Sequence, residues 1–335
     1  MKQISVIIPC YNAAPFLDRC IQSLINQTTG LENLELIFVN DASTDNTLDI
    51  LMQYERQYED SIMVINCDKN GRQGTARNIG LQYASADYIG FVDADDWIDL
   101  TMYEKLYTKA ISFNCDIVGC LDDRVSDSSS IQEPLNGGND HFFDITKPED
   151  RQQYYEKGIG PHIVCKLYKK SLILDNAVFF PEGLAYEDNY WGSIISYYVV
   201  KAYIIDETLY HWYINPHSTT MERNQPSHFD RLTIEEMKFH DLIERGFYDE
   251  FQDKIKTEFL KMYYFNSLNI FFKHFDIVPL KVFQRMQRTV KQLIPDYATY
   301  CNYTDIGQIL IDLIDMNLTQ DDLNAIQTLF LKKQL

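Results

Sequence analysis

The stretch Tyr88-Ile-Gly-Phe-Val-Asp93-Ala-Asp95-Asp96-Trp97 decides how the rest of the chain is read. Tyr88 to Val92 is a short apolar run rich in β-branched and aromatic residues, the pattern of a buried strand. It ends abruptly in three carboxylates within four positions. In open α/β sheets, ligands settle just past the carboxyl ends of such strands. Like charges this close repel, and one pKa rises unless a cation compensates. Hard cations such as Mg²⁺ take oxygen ligands, usually one or two carboxylates together with substrate phosphates. The competing reading is an acidic turn capping a helix that starts near Asp99. The surrounding sequence favours the metal reading.

Outward from this stretch, apolar runs recur at Ile4–Ile8, Leu34–Asn40, Ile62–Ile65 and Asp116–Leu121. Helical patterns lie between them. Leu17, Ile21, Leu24 and Ile25 follow Pro15 at helical spacing, and Leu48, Leu51 and Met52 follow Ser43-Thr44-Asp45. Such alternation predicts an α/β fold with a mostly parallel sheet covered by helices on both faces. Asp122 to Asp140 reads as a polar loop, because it carries Asp-Ser-Ser-Ser and Asn-Gly-Gly-Asn. Mixed structure resumes over 141–215, and from about Ser227 the pattern turns helical. The expected organisation is a catalytic domain over 1–215, with a nucleotide half at 1–121 and an acceptor half at 141–215. A helical domain over 228–335 follows a linker bracketed by Pro216 and Pro226.

Composition narrows the function. The formal net charge of −19 argues against nucleic acid, whose phosphates demand a basic footprint. Seven scattered cysteines without a Cys-x-x-Cys pair suit a reducing cytoplasm and argue against a disulfide framework or a zinc site. The first strand begins too early for a signal peptide, and no apolar run approaches the ~20 residues of a membrane helix. A cytoplasmic protein, soluble or peripheral at the inner face of a membrane, is expected. The 23 tyrosines are numerous enough to supply stacking platforms for sugars, although most must serve core or surface.

Four strand ends carry polar residues suited to a nucleotide. They are Ser5-Val-Ile-Ile-Pro9-Cys-Tyr11-Asn12, Asn40-Asp41-Ala-Ser-Thr-Asp45, Gly74-x-x-Arg77-Asn78-x-Gly80 and Phe91-Val-Asp93-Ala94-Asp95-Asp96. Singly, each has a plain structural explanation as a turn, a helix cap or a surface ion pair. Together, in this order and spacing across about residues 3–121, they resemble the family 2 inverting glycosyltransferases with the GT-A fold. That resemblance implies that Asp41 accepts a hydrogen bond from a base, usually uracil. It also implies that the Pro9–Tyr11 turn packs along base and ribose, with Asn12, Arg77, Asp93 and Ala94 near the nucleotide. Asp95, with Asp93, is the implied ligand set for Mn²⁺ or Mg²⁺.

Phe179-Phe-Pro-Glu-Gly183-Leu-Ala-Tyr-Glu187-Asp188 precedes an apolar stripe of Trp191, Ile194, Ile195 and Tyr198. By local chemistry alone, acids here complement a helix dipole. The family carries a Glu-Asp pair at this point, which implies Asp188 as general base, with Glu187 as a second candidate. Lys166, in Val164-Cys-Lys-Leu-Tyr-Lys169, is implied on the acceptor side; a solvated lysine is the equal alternative. Within His211-Trp-Tyr-Ile-Asn-Pro-His217, Trp212 or Tyr213 is a sugar-stacking candidate. His217 is a third metal candidate, weighed against a structural histidine.

Lys281, Arg285, Arg288 and Lys291 recur at helical spacing beside Val282, Phe283, Met286, Val290 and Leu293. A basic amphipathic helix can lie on an anionic membrane, but a bundle helix with a basic outer side is the favoured reading. The expected activity is metal-dependent, inverting transfer from a nucleotide sugar, with a UDP-sugar as donor. The expected acceptor is a glycan or polyprenyl-linked saccharide in surface polysaccharide synthesis. A sugar-phosphate nucleotidyltransferase is the enzymatic alternative, disfavoured because Pro9 to Pro15 replaces the glycine-rich basic loop it needs. A non-catalytic nucleotide-sugar-binding module is the other.

Overall fold

In the computed structural model, which describes residues 2–126, 139–157, 162–215, 222–300 and 305–333, strand β1 (Ile4–Cys10) is buried at every position. That is what an apolar run covered on both faces requires. It pairs in parallel with β2 (Leu34–Asn40) on one side and β4 (Tyr88–Phe91) on the other, and β3 (Ile62–Asn66) lies beyond β2. Helices α1 (Leu17–Ile25), α2 (Thr47–Gln57) and α3 (Arg72–Tyr83) make the crossovers. The strand order β3-β2-β1-β4 reverses direction at β1. The two neighbours' carboxyl ends, at Cys10 and Phe91, therefore open a crevice of the kind in which α/β sheets bind ligands.

Beyond β4 the sheet is mixed. β8 (Lys166–Lys169) runs antiparallel to β4 and to β6 (Ile117–Val125), and β9 (Lys201–Tyr213) runs parallel to β6. β5 (Trp97–Ile98) and β7 (His141–Asp144) each pair antiparallel with β9. The helices of this half are α4 (Met102–Phe113), α5 (Pro148–Lys157), α6 (Lys170–Leu174) and α7 (Glu187–Ser196).

Two local expectations are corrected. The strand expected to stop at Leu121 continues to Val125, with Asp122 opposite Tyr210 and Val125 opposite Tyr213. Backbone pairing with the long β9 fixes its end, and the polar side chains of Asp122 to Arg124 give no local sign of that. Residues 127–138 of the expected loop lie outside the described residues. In α2, Leu51 is buried as expected but Met52 is 39% exposed, so the apolar stripe is narrower than its spacing suggested.

The chain divides into two compact units, Met1–Asn215 and Pro216–Leu335. The second contains α8 (Asp230–Glu244), α9 (Tyr248–Phe259), a π-helical turn at Leu260–Asn266, α10 (Ser267–His274), α11 (Leu280–Leu293), α12 (Asp305–Asp312) and α13 (Gln320–Lys333). Helix α11 buries Phe283, Met286 and Val290 in its own unit. Of its four cations, Arg285 pairs with Glu236 and Lys291 with Asp315, both at N–O distances of 2.8–2.9 Å. Among the described residues, no helix is long and apolar enough to cross a membrane. All six described cysteines are free thiols.

Candidate active site

At the end of β1, Pro9 and Cys10 stay buried while Tyr11 emerges 52% exposed, presenting a ring at the crevice. Asn12 adopts a left-handed φ of 49°. Its backbone N–H donates to Ser43 Oγ (3.0 Å) and its Oδ1 accepts from Thr44 N–H (2.8 Å). Asn12 thus ties the turn after β1 to the turn after β2. Asp41 is buried and its Oδ1 accepts the Gly71 N–H at 2.7 Å. Burial raises its carboxyl above the usual range, while the N–H groups of Gly71 and Arg72 oppose that rise.

Backbone strain collects around these positions. Seven non-glycine residues have positive φ among the described residues, and four of them adjoin this constellation: Asn12, Ala42, Arg72 and Tyr186. Such conformations persist only where the surrounding structure holds them, and they gather at functional sites.

Arg77, on α3, is 2% exposed. Its Nη2 donates to Asp93 Oδ1 at 2.7 Å and its Nη1 to Glu187 Oε1 at 2.5 Å. One guanidinium therefore joins the acidic turn after β4 to the first residue of α7, 110 positions along the chain from Arg77. Burial works against its charge, but Asp93 and Glu187 more than offset this and hold the guanidinium firmly protonated. For Glu187 the balance falls the other way: burial raises its pKa although Arg77 opposes the shift. Arg77 is expected near the nucleotide; in the structure its Nη groups bridge two carboxylates. Asp188, next along α7, is half-buried and within electrostatic reach of Arg77.

Neighbours on α3 fix the approach to α7. Asn78 Nδ2 donates to Phe180 O and Asn78 Oδ1 accepts the Phe180 N–H, both at 2.9 Å. Gly74 lets the Phe-Pro turn close on the helix, because a Cβ there would stand 2.5 Å from Pro181 O and 3.0 Å from Glu187 Cγ. Gly74→Ala is expected to lower stability by about 1–3 kcal/mol and to reduce transfer by displacing Glu187. Urea denaturation and initial rates check this, and wild-type values in both would show that the contact has slack.

Asp95 has a raised pKa, from burial first and the charge of Asp93 second. Its Oδ2 accepts from Asn215 Nδ2 at 3.2 Å. An oxygen donor held in this condition suits a hard divalent cation, which would relieve both effects. Ala94 is buried between the two acids. Asp96, at 3% exposed, turns inward: Oδ2 accepts from the Tyr210 hydroxyl (2.6 Å) and Oδ1 from the Tyr213 N–H (2.8 Å). Burial, then Asp93 and Asp95, push its pKa up to about 8.

On β8, Lys166 is buried rather than solvated. Its Nζ donates to His162 O, and burial pushes its pKa down to about 8. Trp212 packs edge-on against His162 with 5.1 Å between ring centroids, and its buried Nε1 has no hydrogen-bond partner among the described residues. Arg19 lies over one face of the Tyr213 ring at 4.8 Å. His217 lies outside the described residues. Arg19, Asn78, Tyr210 and Asn215 carry structural parts of this site that the sequence reading did not assign. Their partners are 76 to 120 positions distant, so no local pattern marks them.

The switch-point crevice thus carries an exposed aromatic ring, a buried carboxylate and an acidic turn tied to a second acidic helix start. The model of glycosyl transferase family 2 matches residues 5–175, and the chain belongs to that family. It is 29% identical to the uncharacterized glycosyltransferase YibD of Escherichia coli over 78% of each chain. It is 32% identical to the uncharacterized glycosyltransferase EpsJ of Bacillus subtilis over 68% of this chain and 66% of that one. Among solved structures it superimposes on Staphylococcus aureus TarS 1-349 in complex with UDP-GlcNAc with a TM-score of 0.74. That match has 19% identity and covers 99% of this chain and 92% of that one. TarS is a poly(ribitol-phosphate) β-N-acetylglucosaminyltransferase, and the sequence match spans 44% of its full length.

Proposed function

We propose that this glycosyltransferase moves a sugar from a UDP-sugar to a hydroxyl of a surface polymer or lipid-linked glycan, with inversion and in the presence of Mn²⁺ or Mg²⁺. The observation that carries the reading is the Asp93–Arg77–Glu187 bridge, which ties the acid turn to the Glu187-Asp188 pair. The UDP-GlcNAc bound by TarS and the polymer named as its acceptor support the donor and acceptor classes.

Asp41 and Tyr11 would serve the base, the carboxylate by accepting its N–H and the ring by stacking. Asp95, with Asp93 beside it, would hold the divalent ion, and the described residues contain no cluster of three metal-ligating side chains. The diphosphate and water would then complete its ligands. When bound, that ion neutralises charge growing on the departing diphosphate. Asp188 takes the proton of the acceptor hydroxyl as its oxygen bonds to the anomeric carbon from the far side. The bond to the diphosphate breaks, and UDP leaves with the electron pair. Glu187 is buried with Oε1 held by Arg77, whereas Asp188 is half-buried and open to an incoming hydroxyl, which favours Asp188 as the base.

A thermal-shift series with UDP-, GDP- and dTDP-sugars, with and without Mn²⁺, tests the reading. A ligand at 100 times its Kd adds about 2.7 kcal/mol to a fold it binds. UDP-sugars with Mn²⁺ should raise Tm most, and Asp95→Ala should remove the Mn²⁺-dependent part. A chain indifferent to UDP-sugars, or an Asp95→Ala variant with the full metal effect, would overturn it. Turnover of the UDP-sugar separates the enzyme from a binding module.

A further inference from the structure

We infer that Tyr210 and Asp96 form a clamp that positions the Asp93–Asp95 turn for its cation, making Tyr210 a positioning residue of the donor site. This rests on the metal-dependent donor binding proposed above. The Tyr210 hydroxyl, fully buried on β9, accepts the backbone N–H of Asp93 at 3.2 Å and donates to Asp96 Oδ2 at 2.6 Å. Asp96 Oδ1 accepts the Tyr213 N–H, and the Asp96 N–H closes the turn on Asp93 O at 3.0 Å. Both carboxylate oxygens of Asp96 are thus engaged by β9, and the side chain faces inward. It is an anchor rather than a third ligand.

Further contacts hold the same turn. Arg19 lies 3.9 Å over the Trp97 ring and donates from Nη2 to Asp95 O at 2.9 Å, while Asn215 holds Asp95 Oδ2. β5 pairs Trp97 with His211 and Ile98 with Tyr210, which sets the register of the whole assembly. The turn of Asp93 to Asp96 is therefore fastened to β9 through one phenolic oxygen at its start and one carboxylate at its end. Arg77 holds the Asp93 carboxylate and Asn215 that of Asp95, while the clamp fixes the backbone between them and so keeps both acids where a cation can be received. Fixing the orientation of ligating groups from behind commonly contributes 10- to 100-fold to metal affinity or activity.

The test is calorimetric binding of UDP to Tyr210→Phe, with Mn²⁺ and again with EDTA. Loss of the hydroxyl is expected to weaken Mn²⁺-dependent UDP binding by about tenfold or more and to leave binding in EDTA unchanged. Tyr264→Phe is the control, since it removes a buried tyrosine hydrogen bond to Leu310 O in the helical unit. It should lower Tm comparably and leave both affinities alone. Asp96→Asn, which can still pair with the Tyr213 N–H, should keep more Mn²⁺-dependent affinity than Asp96→Ala. Equal weakening of Tyr210→Phe with and without Mn²⁺, no weakening at all, or equal loss in the two Asp96 variants would overturn the clamp. A wild-type chain that binds no UDP would overturn the functional reading itself, and the clamp with it.

Discussion

Replacing Asp188 with Asn is expected to lower sugar transfer by about 10²–10⁴-fold while leaving UDP binding and stability close to wild type. Asn has the shape of Asp and cannot accept the acceptor's proton, so the loss falls on turnover. Asp188 is half-buried and lies in the first turn of α7, where its charge contributes at most about 1 kcal/mol through the helix dipole. Glu187→Gln should behave differently. It removes the buried partner of Arg77, so stability and activity fall together. Initial rates with a saturating UDP-sugar, beside UDP titrations, separate the two. An Asp188→Asn enzyme that retains turnover, or one that no longer binds UDP, would take the role of base away from Asp188.

Arg77→Met is expected to destabilise the protein by about 3–5 kcal/mol, the usual consequence of leaving buried carboxylates without their cation. Glu187 is the more exposed to this penalty, because its side chain is only 5% accessible whereas that of Asp93 is 21% and can draw water. Arg77→Lys should recover only part of the loss, since an ammonium is a compact point charge and lacks the planar fork that reaches two acids at once. Combining Arg77→Met with Glu187→Gln should reveal a coupling of about 0.5–3 kcal/mol in a double-mutant cycle. Urea denaturation measures all four proteins. Additive effects of the two substitutions would mean that the bridge is not what holds these elements together.

Glu187 and Asp188 show how far a local pattern reaches. Their positions at the start of a helix were legible from the stripe of Trp191, Ile194 and Ile195, which the structure buries. Nothing in the segment distinguished the two acids. The difference comes from α3, where Gly74 admits the Phe-Pro turn and Arg77 reaches one acid and not the other. Asp93, Asp95 and Asp96 repeat the lesson. Three acids within four positions look alike in sequence, yet one pairs with Arg77, one faces Asn215, and one is anchored under β9.

The sequence by itself determined the strand-helix alternation of the first half, the strand ends that carry polar groups, the family and the helical character of the C-terminal unit. These follow from periodicity and from short motifs, whose information lies within a few residues. Tertiary structure alone decided the extension of β6 to Val125, the bridging role of Arg77 and the inward turn of Asp96. Each depends on a backbone or side-chain partner far along the chain. A hydrogen bond or ion pair is specified by where two groups meet in space, and local patterning says only that each is polar.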